Sequence, residues 1–362
     1  MNGDRFAHGG NIYASDQRAA NEWLDFSANI NPLGLSHSVR RTILENIDLV
    51  AHYPDPMARE LKTAIAEHYR IPPESIVLGN GAAELFYLFF RAALRSVIIP
   101  APTFSEYERA ARAAEVKVGY FPLSPQSKFM LDLEKFWQAG KDFDASVLAT
   151  PNNPTGCVLS PSELREFAEL TEKNGKRLLI DESFLDFLPN EADFSLRFRA
   201  AVADKIFVCR SMTKFFALPG LRLGFAVTSP AFARRMDMLK DVWNVNVLAQ
   251  KAGVAALKDL TYQEAGRKFI AAEKDFLAAA LSKLPGFVVF PPVANFILLD
   301  LTSTKKSGLW WARELKRYGI LIRTFEAYPG LNENFVRVAV RTRDENEKLI
   351  AALTRLVELR SE

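Results

Sequence analysis

Short apolar runs alternate with helix-length amphipathic segments along most of the sequence, and this alternation constrains the fold more than any other feature. Seven of the runs are short and rich in residues that favour strands, and they span 76–78, 97–99, 116–120, 147–149, 178–180, 206–209 and 223–227. Strands that alternate with helices form largely parallel sheets, because a crossover helix returns the chain to the edge where the next parallel strand begins. We therefore predict an α/β architecture with a mostly parallel sheet.

Local signals also predict individual helices and a second domain. A helix is expected to begin at Pro161, because Ser160 and Glu163 provide the hydroxyl and the acid of a capping box. The span 244–283 holds few helix-breaking residues, so it should be largely helical up to the Pro-Gly pair at 285–286. Beyond that pair we predict a second domain with a strand, helix, strand, strand, helix series. Its last helix carries an apolar stripe of Leu349, Ile350, Leu353, Leu356 and Val357.

Composition argues against several functional classes. The chain has 46 Lys and Arg against 43 Asp and Glu, and this small, dispersed excess does not predict a nucleic-acid partner. No apolar stretch is long enough to cross a bilayer, and the start lacks the apolar core of a signal peptide, so we expect a cytoplasmic protein without a membrane partner. The two cysteines cannot form a disulfide framework, and the four histidines form no short-spaced ligand cluster, so we expect no metal site.

The first chemical motif is Ser211-Met-Thr-Lys214, which follows the apolar run 206–209 and precedes Arg222. A lysine amine attacks a carbonyl group only if it is partly neutral, and burial or nearby cations achieve this by lowering its pKa. Ser211 and Arg222 could hold a phosphate beside such a lysine. Taken alone, Lys214 could equally be one of many surface lysines, and Ser-x-x-Lys also occurs in unrelated acyl-transfer enzymes.

Two further polar segments also follow apolar runs. Asp181 closes the run 178–180, and a carboxylate buried there needs a cationic partner such as a protonated pyridine nitrogen, although it could equally be a helix N-cap. The loop 150–156 contains two prolines and a glycine, and the amide of Asn153 could donate to a phenolate oxygen. As an isolated turn, this loop would carry no functional signal. Open α/β sheets bind ligands at the carboxyl ends of their strands, so we expect the chemistry to lie in these loops.

In their combination and order, these segments resemble the fold-type I pyridoxal-phosphate enzymes, the aspartate-aminotransferase-like family, over essentially the whole chain. The resemblance rests on Asn-Asn-Pro-Thr-Gly at 152–156, Asp-Glu at 181–182, Ser-x-x-Lys at 211–214 and Gly-Leu-Arg-Leu-Gly at 220–224. It implies an enzyme with pyridoxal 5′-phosphate as its cofactor. It also implies a large domain with a mostly parallel seven-stranded sheet, and a smaller α+β domain.

The same resemblance implies a domain organisation and an assembly. An N-terminal arm and segment, residues 1–45, is expected to pack with the small domain. Residues 46–283 would form the large cofactor-binding domain, and residues 284–362 the small one. Tyr53, in His-Tyr-Pro-Asp-Pro, corresponds to a tyrosine that reaches the neighbouring subunit's cofactor phosphate. We therefore expect a homodimer with composite active sites.

Carried over residue by residue, the resemblance assigns roles within the cofactor site. Lys214 becomes the Schiff-base lysine, Asp181 the partner of the pyridine nitrogen and Asn153 the donor to the ring oxygen. The remaining cofactor contacts are Ser211, Arg222 and the backbone N–H groups of Ala82 and Ala83 for the phosphate, and Phe104 for stacking on the ring. Phe184 is a departure, because many aminotransferases have a tyrosine there that hydrogen-bonds the ring oxygen. We expect the reaction outcome to differ accordingly.

Both ends of the chain resemble the branch of this family that decarboxylates threonine phosphate in cobalamin biosynthesis. The N-terminal matches are His-Gly-Gly-Asn at 8–11 and Asp-Phe-Ser-Ala-Asn-Ile-Asn-Pro-Leu-Gly at 25–34. The implied ligands of this phosphorylated amino-acid substrate are Arg337 for the carboxylate, Arg323 with His8 and Asn31 for the phosphate, and Asn153. Either arginine could otherwise form a surface ion pair.

Several alternatives stay open at this point. Histidinol-phosphate aminotransferases share the cofactor motifs and a phosphorylated substrate, although Phe184 and the N-terminal matches favour decarboxylation. The outcome depends on which bond at Cα stands perpendicular to the cofactor ring. Threonine phosphate and serine phosphate differ by one methyl group, which the sequence does not discriminate. A third hypothesis is a non-catalytic sensor that keeps this fold as a ligand-binding module. The retained Lys214 argues against it.

Overall fold

The computed structural model describes residues 8–13, 22–92 and 94–359. The strands in these ranges are β1 (Leu24–Asp25), β2 (Ile76–Asn80), β3 (Ser96–Ala101), β4 (Lys117–Pro122), β5 (Ala145–Ala149), β6 (Arg177–Asp181), β7 (Ile206–Ser211), β8 (Leu223–Val227), β9 (Val288–Val289), β10 (Phe296–Asp300), β11 (Ile320–Leu321), β12 (Arg323–Thr324) and β13 (Phe335–Ala339). The α-helices are α1 (His37–Glu45), α2 (Arg59–Tyr69), α3 (Ala82–Arg91), α4 (Glu106–Ala113), α5 (Leu133–Ala139), α6 (Pro161–Lys173), α7 (Glu191–Phe194), α8 (Arg197–Ala200), α9 (Pro230–Asp237), α10 (Val247–Lys258), α11 (Leu260–Leu281), α12 (Gly308–Arg317) and α13 (Arg343–Glu358). None of the helices in the described ranges combines the length and apolar character that crossing a bilayer requires.

Strands β2 to β8 form one sheet of seven strands in the order β2-β8-β7-β6-β5-β3-β4. The strands from β3 to β7 run parallel, whereas β8 is antiparallel to both of its neighbours. Each predicted apolar run forms one of these strands, so the predicted fold class is confirmed. Alternate residues of β7 enter two separate apolar clusters, Ile206 and Val208 in one and Phe207 and Cys209 in the other. Apolar side chains therefore cover both faces of the sheet, as a mostly parallel sheet requires.

The predicted helical regions are present, although their capping differs in detail. Ser160 is the N-cap of α6, and its hydroxyl oxygen accepts a hydrogen bond from the Glu163 N–H at 3.3 Å. The Glu163 carboxylate accepts in turn from the Ser160 hydroxyl. A capping box with both backbone bonds is formed at α13 by Thr342 and Glu345. The long helical region predicted at 244–283 consists of two helices, α10 and α11.

Strands β12, β13, β10 and β9 form a second, antiparallel sheet in that order. On α13, the predicted apolar stripe packs into the core, with Leu349, Leu353 and Leu356 buried and Ile350 and Val357 partly buried. Strand β1 pairs in parallel with β11, which joins the segment before α1 to the C-terminal part of the chain. The predicted domain boundaries themselves stay predictions.

Candidate active site

A cavity opens at the carboxyl ends of β5, β6 and β7, where sheets of this type bind their ligands. Its empty space is about 1000 Å³, including its opening to solvent, which is ample for a cofactor together with a small substrate. All but two of the residues predicted to bind cofactor or substrate line this cavity, namely His8, Ala82, Ala83, Phe104, Asn153, Asp181, Ser211, Lys214, Arg222, Arg323 and Arg337. The two exceptions are Asn31 and Tyr53.

One end of the cavity is formed by the start of α3 and the side chain of Arg222. The helix begins after Gly81, whose φ is +83°, and no side chain caps its first turn. A Cβ at position 81 would lie 2.3 Å from Nη2 of Arg222 and would displace the guanidinium, and the positive φ also favours glycine there. The uncapped N–H groups at Ala82 and Ala83, together with this cation, form a site suited to a phosphate.

Lys214 follows β7, and its side chain lines the cavity. Burial, and then the charges of Arg337 and Arg222, lower the pKa of this amine to about 8, while Asp181 acts in the opposite direction. A large fraction of the amine is therefore neutral near pH 8, where an ordinary lysine is almost fully protonated. This side chain has the protonation behaviour that reaction with an aldehyde requires.

Asp181 is the last residue of β6 and is buried. Its Oδ1 accepts a hydrogen bond from the Ser183 N–H at 2.8 Å, and its Oδ2 accepts one from the Tyr107 hydroxyl at 2.5 Å. Burial raises the pKa of Asp181, although the hydrogen bonds and the charge of Lys214 counteract this effect. The next helical turn has Phe184 at its N-cap position, so Asp181 does not cap that turn. Its carboxylate is available to a cationic ligand.

Arg323 on β12 and Arg337 on β13 are register partners in an antiparallel pair, so both side chains lie on one face of the small sheet. Arg337 Nη1 donates to Asn153 Oδ1 at 2.5 Å, and its Nη2 donates to the Ser27 carbonyl oxygen at 2.7 Å. Its Nε is buried with no hydrogen-bond partner among the described residues. Burial and the neighbouring Arg323 charge lower the pKa of Arg337 to about 9. A buried guanidinium that has an unpaired N–H group and a neighbouring positive charge is stabilised by binding an anion.

The short segment 8–13 forms part of the cavity wall. His8 Nε2 lies 2.8 Å from an oxygen of Glu106, whose side chain is largely buried. A Cβ at Gly9 would lie 2.0 Å from the Ser27 carbonyl oxygen, so the chain can pass this closely only because residue 9 is glycine. The same carbonyl accepts a hydrogen bond from Arg337, which connects the segment to the arginine pair.

In the segment 25–34, the predicted phosphate ligand Asn31 does not line the cavity. Its amide is buried and donates to the Phe215 carbonyl oxygen at 2.9 Å. Ser27 and Asn29 line the cavity instead, and Asn29 Oδ1 has no hydrogen-bond partner in the described part of the chain. The motif alone could not discriminate among these side chains, because they recur at every second residue.

Thr213 and Tyr107 are among the other cavity residues that were missed, and each had a signal in the sequence. Thr213 lies inside the Ser-x-x-Lys motif, and its hydroxyl is 2.7 Å from that of Ser211. Tyr107 follows Phe104 by three residues, a spacing that brings both to one face of a helical turn. Tyr53 lies outside this chain's cavity, and its ring is 78% exposed and stacked on Trp243.

The cavity lining fits the cofactor that the resemblance implies. Its described residues include Lys214, Arg222, Arg323 and Arg337 as cations but only Asp181 as an acid. A reactive amine, a phosphate site at a helix start and a buried carboxylate are the groups that a phosphorylated pyridine aldehyde requires. In the ranges described, no group of three or more His, Cys, Asp or Glu side chains could hold a metal ion.

Comparison with known proteins agrees with this geometry. The family model for aminotransferase class I and II matches residues 21–353. The chain is 37% identical over 354 residues to threonine-phosphate decarboxylase of Salmonella typhimurium. The alignment covers 96% of this chain and 95% of that protein. It is 35% identical over 357 residues to a bifunctional protein of adenosylcobalamin biosynthesis from Leptospira interrogans, covering 96% of this chain and 41% of that protein. The crystal structure of histidinol-phosphate aminotransferase from Clostridium acetobutylicum superposes with a TM-score of 0.85 and 31% identity, covering 92% of this chain and 99% of that one.

Proposed function

The chain belongs to the aminotransferase class I and II family, and we propose that it is a pyridoxal-phosphate-dependent decarboxylase of L-threonine O-3-phosphate. The products are (R)-1-amino-2-propanol O-2-phosphate and CO2, and the pathway is cobalamin biosynthesis. The observation that carries this proposal is the pairing of Arg323 with Arg337, because two cations on one face suit a substrate with two anionic groups. The Salmonella and Leptospira relatives support the same assignment.

The residues around Lys214 hold the cofactor. When bound, pyridoxal phosphate accepts the electron pair that remains at Cα after a bond to that atom is broken. Lys214 would be the residue that links to it, because its lowered pKa leaves the amine partly neutral. Asp181 holds the proton of the ring nitrogen. The start of α3, with Ser211 and Arg222, holds the phosphate, and Phe104 stacks on the ring.

Arg337 and Asn153 orient the substrate relative to this cofactor. Since Asn153 Oδ1 accepts from Arg337, its Nδ2 can still donate to the ring oxygen. Arg337 binds the substrate carboxylate while Arg323 and His8 bind the phosphate, so the substrate is restrained at both ends. This restraint would direct the substrate carboxylate away from the plane of a bound cofactor, as loss of CO2 requires. Lys214, in its ammonium form, would then be the residue that returns a proton to Cα.

The second candidate is transamination of histidinol phosphate. It is supported by the fold similarity to the Clostridium acetobutylicum aminotransferase. Decarboxylation is favoured by Phe184, which lines the cavity and packs against Phe296 with ring centroids 5.0 Å apart. A phenylalanine there donates no hydrogen bond to the ring oxygen, unlike the tyrosine of many aminotransferases. The contribution of His8 to the cavity also matches the decarboxylase branch.

We further propose that the active protein is a homodimer in which each site is completed by the partner. The support is an exposed apolar surface around Tyr53, where a monomer would leave several large side chains in water. Tyr53 is stacked on Trp243 with ring centroids 4.3 Å apart, and Met57, Met238 and Val242 are each more than half exposed. In such a dimer, Tyr53 of one subunit reaches the cofactor phosphate of the other.

We propose a cytoplasmic location for this dimer. Cys157 and Cys209 are both free thiols, which suits a reducing compartment. The location is tested by fusing the chain to a fluorescent reporter and fractionating the cells. Recovery of the protein with membranes or in the medium would contradict the proposal.

Product analysis with purified, cofactor-loaded protein tests the proposed reaction. Threonine phosphate should release CO2 and aminopropanol phosphate without an added keto acid. Formation of a keto product that depends on an added keto acid would assign the protein to the aminotransferases instead. Serine phosphate and histidinol phosphate, assayed in parallel, determine which phosphorylated substrate the cavity accepts.

A further inference from the structure

Tyr107 connects two parts of the cofactor site through one buried side chain. It lies in the first turn of α4 and is only 1% exposed. Its hydroxyl donates to Asp181 Oδ2 at 2.5 Å. Its ring packs edge-on against Phe104, with ring centroids 5.7 Å apart, and against Phe86, with centroids 4.9 Å apart. The hydroxyl therefore contacts the proposed partner of the ring nitrogen, and the ring contacts the proposed stacking residue.

The hydrogen bond from Tyr107 has a fixed direction. Burial and the negative charge of Asp181 raise the pKa of Tyr107 well above its usual value, so the hydroxyl is protonated near neutral pH. The protonated hydroxyl can therefore donate its hydrogen bond to the Asp181 carboxylate under these conditions. The other titratable groups around this carboxylate are Cys209 on β7 and Lys214 in the following loop. Of these, Lys214 also favours the charged carboxylate, whereas Cys209 does not.

We propose that Tyr107 is a positioning residue that keeps Asp181 ionised and directed at the ring nitrogen of the cofactor. The inference rests on the proposed cofactor role of Asp181, and it adds a residue that the family motifs did not single out. Burial alone favours the neutral acid, and a neutral acid cannot hold the proton on the ring nitrogen. The donor from α4 offsets this effect and also restrains the rotation of the carboxylate.

Replacement of Tyr107 by phenylalanine separates the two contacts. The Tyr107→Phe variant keeps the ring that packs on Phe104 and loses only the hydroxyl that binds Asp181. The matched control is Tyr69→Phe, because the Tyr69 hydroxyl is also buried and donates to a carboxylate, that of Asp186, at 3.1 Å, outside the cavity. Thermal unfolding of both apo variants reports the loss of a buried hydroxyl hydrogen bond in each.

The experiment titrates the apo forms of wild type and both variants with pyridoxal phosphate, and then titrates the visible absorption of the bound cofactor with pH. For Tyr107→Phe we expect cofactor affinity to fall by about tenfold or more, as loss of a hydrogen bond to a charged group predicts. We also expect its spectral transition to move to higher pH, because a less firmly protonated ring withdraws less charge from the lysine linkage. Tyr69→Phe should match wild type in both measurements.

The outcomes distinguish this inference from the proposed function. If wild type binds no pyridoxal phosphate, the proposed function is wrong and the inference falls with it. If wild type binds the cofactor and decarboxylates threonine phosphate, but Tyr107→Phe has the wild-type affinity and spectral transition, only the role of Tyr107 is wrong. Equal effects in Tyr107→Phe and Tyr69→Phe would mean that the hydroxyl acts on general stability, which also overturns the inference.

Discussion

Arg337 and Lys214 are electrostatically coupled, because the guanidinium is, after burial, the largest cause of the lowered pKa of the lysine amine. The residue proposed to bind the substrate carboxylate therefore also keeps the amine partly neutral before the cofactor arrives. A substrate carboxylate on Arg337 would neutralise that charge. The coupling thus connects occupation of the carboxylate site to the basicity of the lysine.

The rate of cofactor uptake by apo protein should follow the neutral fraction of Lys214. Because the pKa of this amine is lowered to about 8, uptake should rise with pH through a midpoint at about 8 and level off above it. Stopped-flow absorbance at a series of pH values measures this profile. In Arg337→Met the midpoint should move to higher pH, since a repelling cation is removed. A midpoint near 10 in the wild type would contradict the prediction.

Arg323 should discriminate phosphorylated from unphosphorylated substrates. Arg323→Met should raise KM for threonine phosphate by about tenfold or more, since a charge-assisted contact to the phosphate is lost. The same change should leave the much weaker reaction of free threonine nearly unaltered, and that substrate serves as the control. Equal losses for both substrates would indicate that Arg323 supports the structure of the site rather than the phosphate.

Gly81 should be required for cofactor binding because of its contact with Arg222. Gly81→Ala places a Cβ 2.3 Å from the guanidinium and strains a backbone at φ +83°, so affinity for pyridoxal phosphate should fall by about tenfold or more. Gly175→Ala is the matched control, because φ there is +67° and the added Cβ meets open space. Equilibrium titration of both variants measures the effect. Similar affinities in the two would exclude a steric cause.

A composite active site predicts complementation between two inactive variants. Lys214→Ala lacks the covalent link and Tyr53→Ala lacks the contact supplied to the partner, so a mixed dimer regains one intact site. After subunit exchange of equal amounts, activity should return to about a quarter of the wild-type value, because half of the dimers are mixed. Each variant exchanged with itself is the control. No recovery in a mixture shown to contain mixed dimers would exclude a site shared between subunits.

The strands and the loops that follow them were predictable from the sequence because their signals are local. The seven short apolar runs formed all seven strands of the large sheet. Asp181 ends one of these strands, Asn153 and Lys214 follow two others, and the carboxyl ends of neighbouring parallel strands meet at one edge. Their convergence in the cavity is thus a consequence of sheet topology.

The hydrogen bonds that orient the side chains of the site were not predictable, because they join distant parts of the chain. Tyr107 and Asp181 are 74 residues apart, and Arg337 and Ser27 are 310 apart. No periodicity or spacing encodes such a pair, since it depends on how α4 and the small sheet pack against the large one. That Asn29 and not Asn31 lines the cavity was not predictable for the same reason, as only packing decides which amide turns to the cavity.

Residue types and their order along the chain were enough to establish the fold class and the chemical groups at the end of each strand, because both follow from local backbone preferences and sheet topology. Protonation and the direction of side chains were decided only when the chain folded. The pKa values of Lys214 and Arg337 depend on burial and on charges from distant segments. Those are properties of three-dimensional proximity, which no single stretch of sequence contains.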